Sequence, residues 1–230
     1  MSGSAPDHTC FLVRHCDVEN PERILYGHLP GFGLSARGRR QAGNLGRYLR
    51  NFDLAGIYVS PLQRARETAE LLARELPTSP PLEVREDLVE AEFGRYLQGT
   101  RYRDVPWRKP RWLAHMVFPG LVPGDEAMSA MARRVERIVR EGLKHHRGRT
   151  FACISHGDPI QAFWATSEGR GPWALHRLQC AKGGLLRLDF QGDQLLTKTY
   201  LSPTAIEAAG GGAVAARSAS PEPAEEGWPG

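Results

Sequence analysis

At 230 residues, with 41% hydrophobic and 24% charged side chains, the chain can bury one substantial core and has the ordinary balance of a globular domain. No stretch approaches the roughly 18 apolar residues of a membrane span, residues 1–9 lack the basic and apolar regions of a secretion signal, and four cysteines without metal-ligand spacing point to a reducing, cytoplasmic setting without a membrane partner. The formal charge of +4 and pI near 9.0 suit an anionic ligand but do not indicate nucleic acid, because the arginines are scattered along the chain.

Residues 10–13, Cys-Phe-Leu-Val, are too short for a helix and do not alternate, which predicts a parallel strand buried on both faces. This strand delivers Arg14 and His15 to its carboxyl end, the edge at which open α/β sheets bind ligands. A Gly- and Pro-rich loop over residues 20–34 is expected to wall a pocket. Ser35 reads as the N-cap of a helix to about Phe52, with Ala42, Leu45, Leu49 and Phe52 on one face and Arg37, Arg39, Arg40, Arg47 and Arg50 as its solvated side. Residues 57–59 predict a second strand. Ser60-Pro61-Leu62-Gln63 then reads as a capping box opening the next helix, so that Arg64 lies in a first turn at the same rim as His15.

A third strand is expected over residues 82–84. Glu90 and Glu92 follow; in extended backbone they face opposite ways, so at most one enters a site and the other is solvated or salt-bridged. Residues 95–123 interleave Arg95, Arg101, Arg103, Arg108, Lys109 and Arg111 with Tyr96, Tyr102, Trp107 and Trp112, and such a long irregular excursion reads as a lid that selects the substrate. A helix from Gly124 to about His146 turns Met128, Met131, Val135 and Ile138 inward and carries acids in its first turn. His145 and His146 are adjacent and point apart, which argues against a shared metal. Residues 150–154 are the strongest strand signal and run into Ser155-His156-Gly157-Asp158-Pro159 and another helix. Residues 185–190 and 195–201 predict a hairpin at one edge of the sheet. From Glu207 onward the Ala, Gly, Ser, Pro and Glu composition predicts disorder.

This alternation predicts an α/β fold: a three-layer αβα sandwich with a mostly parallel sheet and an antiparallel edge strand, forming one domain over residues 10–206 between tails at 1–9 and 207–230. Arg14, His15, Arg64 and His156 then converge on one sheet edge near a carboxylate. Guanidinium forks bind phosphate oxygens in pairs and stay charged, and helix N-termini add oriented N–H groups, so the inferred ligand is a phosphoryl group.

Arg14-His15, Leu62-x-Arg64-Ala65, Leu88-x-Glu90 with Phe93-Gly94, and Ser155-His156-Gly157 resemble, in order and context, the motifs of the histidine phosphatase superfamily, in its phosphoglycerate-mutase-like branch. The resemblance spans roughly residues 10–201. It implies that His15 forms a phosphohistidine intermediate while its second ring nitrogen is held by an acceptor such as a backbone carbonyl. It implies further that Glu90 is general acid and then base, and that Arg14, Arg64 and His156 hold the phosphoryl oxygens, with Asn20 and Gly157 beside them. No metal and no cofactor is implied. The expected activity is a metal-independent phosphomonoesterase acting on a small phosphorylated metabolite, because the region between Glu90 and Gly124 is shorter than the usual mutase insertion. The alternatives are a cofactor-dependent phosphoglycerate mutase, or a weakly active or non-catalytic member that binds phosphorylated ligands. A homodimer through an exposed hydrophobic edge beside the lid is allowed.

One position departs from the family pattern. Cys16 stands where Gly is usual, followed by Asp17 where Glu is usual. A need for positive φ at that position would strain Cys16, and an exposed thiol would make the site redox-sensitive; a small side chain pointing aside is the milder expectation.

Overall fold

A computed structural model describes residues 6–92, 94–109, 124, 126–175 and 177–210. Strand β1 (His8–Arg14) is buried along nearly its whole length because its side chains divide between two cores. Cys10 and Leu12 join one cluster, while Phe11 and Val13 join the other. Strand β4 (Thr150–Ser155) does the same with Phe151 and Cys153 against Ala152 and Ile154. Together with β2 (Leu54–Val59), β3 (Leu82–Val84), β5 (Leu185–Gln191) and β6 (Gln194–Leu201), these strands form a six-stranded sheet in the order β3-β2-β4-β1-β5-β6. The pairs β3/β2, β2/β4 and β4/β1 are parallel, and β5 runs antiparallel to both β1 and β6. The fold is α/β, as the alternation predicted.

Helices α1 (Ala36–Leu49) and α2 (Gln63–Ala73) contribute Ala42, Leu45 and Leu49, and Ala65, Ala69 and Leu72, to the core on one face of the sheet. Helices α3 (Met128–His145) and α4 (Gly157–Ser167) cover the other face with Met128, Met131, Val135 and Ile138, and with Ile160, Phe163 and Trp164. A last helix, α5 (Pro203–Gly210), buries Ile206 in the α1 side. Among the described residues no helix is long and apolar enough to cross a membrane.

Several boundaries differ from expectation. His8 and Thr9, assigned to a tail, belong to β1, where the buried Thr9 hydroxyl donates to Asp189. The chain is helical to Gly210, past the expected start of disorder at Glu207, because Ile206 and Ala209 have a core to bury against. Helix α3 starts at Met128 with no acid in its first turn; Glu126 precedes it and is instead held by both ends of the Arg134 guanidinium, at 2.8 and 3.0 Å. The second half of the expected lid, residues 110–123, and most of the expected tail, residues 211–230, lie outside the described residues.

All four cysteines are free and buried. Burial pushes the Cys16 and Cys180 thiols up to about 12. A thiol reagent such as Ellman's is therefore expected to titrate no fast-reacting cysteine in the folded protein and four after denaturation. One fast equivalent in the native state, lost on replacing Cys16, would restore the redox-sensitive reading.

Candidate active site

The in-register pairing of β1 with β4 sets Arg14 opposite Ser155, so the next residues of both strands, His15 and His156, emerge side by side. The two imidazoles lie 5.0 Å apart between centroids, and both are fully buried. Glu90 joins them from the loop after β3: one oxygen of Glu90 and a nitrogen from each histidine lie within 4.8 Å of one another. Arg64 enters from the first turn of α2 and Arg14 from the end of β1. The structure thus brings together five residues singled out in the sequence: Arg14, His15, Arg64, Glu90 and His156.

His15 is held in one tautomer. Its Nδ1 is 2.8 Å from the Cys16 carbonyl, which can only accept, so Nδ1 carries the proton and Nε2 keeps its lone pair. The Arg64 Nε–H points at that lone pair from 3.3 Å. Burial, then the charges of Arg64 and Arg14, hold the His15 imidazole well below its usual range, so Nε2 is free of a proton at neutral pH. The acceptor is the main chain of Cys16 itself, whose N–H donates to Thr68 Oγ1 at 3.1 Å while the Thr68 hydroxyl donates to the Arg64 carbonyl at 2.7 Å. One buried hydroxyl thereby links the loop that orients His15 to the helix turn that carries Arg64.

Cys16 has no positive φ; among the described non-glycine residues only Arg23 does. Its side chain lies in the core with Leu34, Ala65 and Leu72. The strain expected of a residue replacing glycine is absent because the position does not use left-handed backbone. Asp17 bridges Ser35 Oγ at 2.8 Å and Lys182 Nζ at 3.1 Å, pinning the loop beyond His15 to α1. Gly38 makes that approach possible, since a Cβ there would lie 2.0 Å from the Asp17 carbonyl oxygen.

Ser60 is a site residue that sequence reasoning missed. The capping box expected over Ser60 to Gln63 does not form: α2 begins at Gln63 with Leu62 as its N-cap and no side-chain cap. The buried Ser60 hydroxyl lies 2.8 Å from His156 Nε2 and accepts from the Leu62 N–H at 3.4 Å; with no other acceptor for it among the described residues, its own proton is satisfied only at His156 Nε2. That leaves the His156 proton on Nδ1, which faces Glu90 Oε2 from 3.8 Å and has no hydrogen-bond partner. Burial and the charge of Arg64 keep His156 well below its usual range as well. The available signal was position: a serine at the carboxyl end of β2 lies on the ligand edge of the sheet.

Burial first, and the nearby Asp158 carboxylate second, raise Glu90 to about 7 against the pull of Arg64. Glu92 faces outward as expected, at 64% side-chain exposure, and lies 3.7 Å from His28 Nδ1. Arg14 Nη1 donates to the Cys180 carbonyl at 2.6 Å, while its Nε is buried without a partner. Arg64 Nη2 donates to the Gly27 carbonyl at 2.9 Å, and the guanidinium lies over the Tyr26 ring at 4.8 Å.

The other two sequence candidates are placed differently. Both ends of the Asn20 amide engage Ile24, donating to its carbonyl at 2.9 Å and accepting from its N–H at 3.1 Å, so that amide braces its own loop. Gly157 opens α4, where a Cβ would lie 2.9 Å from the Arg14 guanidinium carbon. Its absence of side chain makes room for Arg14. Gly157→Ala is expected to displace that guanidinium and lower kcat/KM for a phosphate ester by about 10–100-fold, mostly through KM, while thermal stability changes little; steady-state kinetics with a melting curve checks it.

Two neutral histidines, two arginines and one protonatable carboxylate thus meet at a parallel-sheet edge, a donor set suited to a phosphoryl group. The sequence model of the histidine phosphatase superfamily (branch 1) matches residues 10–201, and the chain belongs to that superfamily. It is similar to an uncharacterized protein of Mycobacterium tuberculosis, Rv0525, 33% identical over 198 residues covering 85% of this chain and 96% of the relative. It is also similar to the protein named Probable phosphoglycerate mutase GpmB of Salmonella typhi, 28% identical, with 85% and 91% covered. Among solved structures, the alpha-ribazole phosphatase from Shigella flexneri superposes with a TM-score of 0.69 at 24% identity, covering 85% of this chain and 96% of that one.

Proposed function

We propose that the protein is a metal-independent phosphomonoesterase that hydrolyses a small phosphorylated metabolite through a phosphohistidine at His15. The observation that carries this reading is the pair of buried, unpartnered donors, Arg14 Nε and His156 Nδ1, beside a neutral imidazole whose unprotonated Nε2 is met only by the Arg64 N–H among the described residues. Buried donors without acceptors are costly, and a phosphoryl group between them supplies the missing oxygens.

In the first half-reaction His15 Nε2 forms the bond to phosphorus as the ester P–O bond breaks, and the leaving alkoxide takes the Glu90 proton. Arg64 moves its N–H from Nε2 to a phosphoryl oxygen, and Arg14 and His156 Nδ1 hold the others. In the second, the Glu90 carboxylate takes a proton from water, whose oxygen attacks the phosphohistidine. Inorganic phosphate leaves and both groups return to their starting forms. His15, Glu90 and His156 have the composition of a metal triad, but Arg14 and Arg64 repel a divalent cation there and supply the positive charge themselves.

The test is hydrolysis of alkyl and aryl phosphates with EDTA present, together with 2- and 3-phosphoglycerate as substrates. Phosphate release unaffected by chelator is expected. Efficient interconversion of the phosphoglycerates with little phosphate release would instead establish the mutase reading that the similarity to GpmB favours.

A further inference from the structure

Glu90 sits in a segment with little regular structure: a single 3-10 turn (Glu86–Leu88) followed by chain that belongs to no strand among the described residues. Its backbone carbonyls are held one by one from outside. Arg134 Nη1 donates to the Asp87 carbonyl at 2.6 Å, Ser155 Oγ to that of Leu88 at 2.8 Å, and the Glu126 N–H to that of Glu92 at 3.0 Å. The carbonyl of Glu90 itself is taken by His28 Nε2, at 2.8 Å. Because a carbonyl only accepts, His28 carries its proton on Nε2.

Three of these four donors come from α3, from the residue leading into it, or from the end of β4. His28 does not: it belongs to the Gly- and Pro-rich loop, which is closed against the first part of the excursion by a short clasp. The His28 N–H donates to Gln98 Oε1 at 3.2 Å, Gly99 N–H to the Leu25 carbonyl at 2.8 Å, Leu25 N–H to the Thr100 carbonyl at 2.8 Å, and Tyr102 N–H to the Arg23 carbonyl at 2.9 Å. The same loop carries Tyr26 and the Gly27 carbonyl against Arg64. Among the described residues His28 is therefore the side chain that ties this loop to the main chain of the residue proposed to deliver a proton.

We infer that His28 is a positioning residue for the general acid: its hydrogen bond to the Glu90 carbonyl aims the carboxyl group at the leaving oxygen, and does so from the loop that meets the rest of the substrate. The inference rests on the role proposed for Glu90. A displaced acid penalises poor leaving groups selectively, since an alkoxide needs the proton and a dinitrophenolate does not.

The experiment measures kcat/KM, which reports the steps through loss of the leaving group, for an alkyl phosphate and for 2,4-dinitrophenyl phosphate with wild type, His28→Ala, His28→Gln and Glu90→Gln. His28→Ala is expected to lose about 30-fold on the alkyl ester and less than about threefold on the aryl ester. His28→Gln, which keeps a donor at similar reach, should recover most of the loss. Equal losses on both esters, or none on the alkyl ester, with Glu90→Gln still selective for the aryl ester, would overturn the role of His28 alone. Equal losses in Glu90→Gln would overturn the acid assignment and the inference with it.

Discussion

His15→Ala is expected to lower turnover of any phosphate monoester by at least about 10⁴-fold and to abolish the acid-labile phosphoenzyme that rapid quenching of the wild type should trap. The size follows from the site's construction. Arg14, Arg64 and His156 would still bind the ester, but phosphorus would meet no nucleophile, and a buried site built around an imidazole does not position water in its place. The substitution also leaves the buried Cys16 carbonyl without its donor, a loss of about 1–3 kcal/mol in stability. His15→Asn separates the two effects, because its amide can donate to the Cys16 carbonyl while offering no nucleophile. A folded His15→Asn protein with undiminished turnover would overturn the phosphohistidine route.

Replacement of Glu90 by Gln should have the next largest effect and move catalysis and stability in opposite directions. With Glu90 raised to about 7, the wild-type kcat/KM for an alkyl phosphate is expected to decline about tenfold per pH unit above that value as the acid is lost. Glu90→Gln should remove this limb and lower the plateau by about 10²–10⁴-fold. For stability, the folded protein keeps the Glu90 proton up to about 7, whereas the unfolded chain releases it near the ordinary 4.5. Between those values the folded state binds the extra proton, so this group's contribution is fully present below about 4.5 and is lost as pH rises through about 7.

Gln does not ionise. The variant should therefore be more stable than wild type at pH 8, by up to about 3 kcal/mol, with the advantage fading below about pH 5. His15 and His156, whose titrations are depressed by burial, act with the opposite sign below the ordinary histidine range. The difference between wild type and variant, measured by denaturant unfolding at several pH values, isolates Glu90. A pH-independent difference would mean that the carboxyl is not buried against its ionised form.

The chemistry of the candidate site was legible because its residues sit where chain direction alone places them. Arg14 and His15 follow an apolar run that is buried on both faces, as the lack of alternation required. Arg64 and His156 follow strands or open helices, and in an α/β fold all such turns gather at one sheet edge. Local pattern also carried the N-cap at Ser35, which accepts from Gly38 N–H at 3.0 Å, and the closing hairpin.

Misreadings occurred where a tertiary partner outcompeted a local one. Ser60 abandons the helix cap because His156, 96 residues away, offers a buried imidazole nitrogen. Glu126 leaves the first turn of α3 for Arg134; Asn20 is the converse case, its amide kept by a local partner, Ile24, within its own loop. What the sequence by itself determined is the α/β alternation, the apolar runs and the identity of the groups at the ligand edge. That His15 and His156 become neighbours was decided only by the parallel register of β1 on β4. Their tautomers were decided likewise, by the Cys16 carbonyl and the Ser60 hydroxyl, and the raised titration of Glu90 by its burial beside Asp158. The physical reason is that strand register, proton placement and desolvation depend on which groups are brought out of water together, and this is a property of the packed chain.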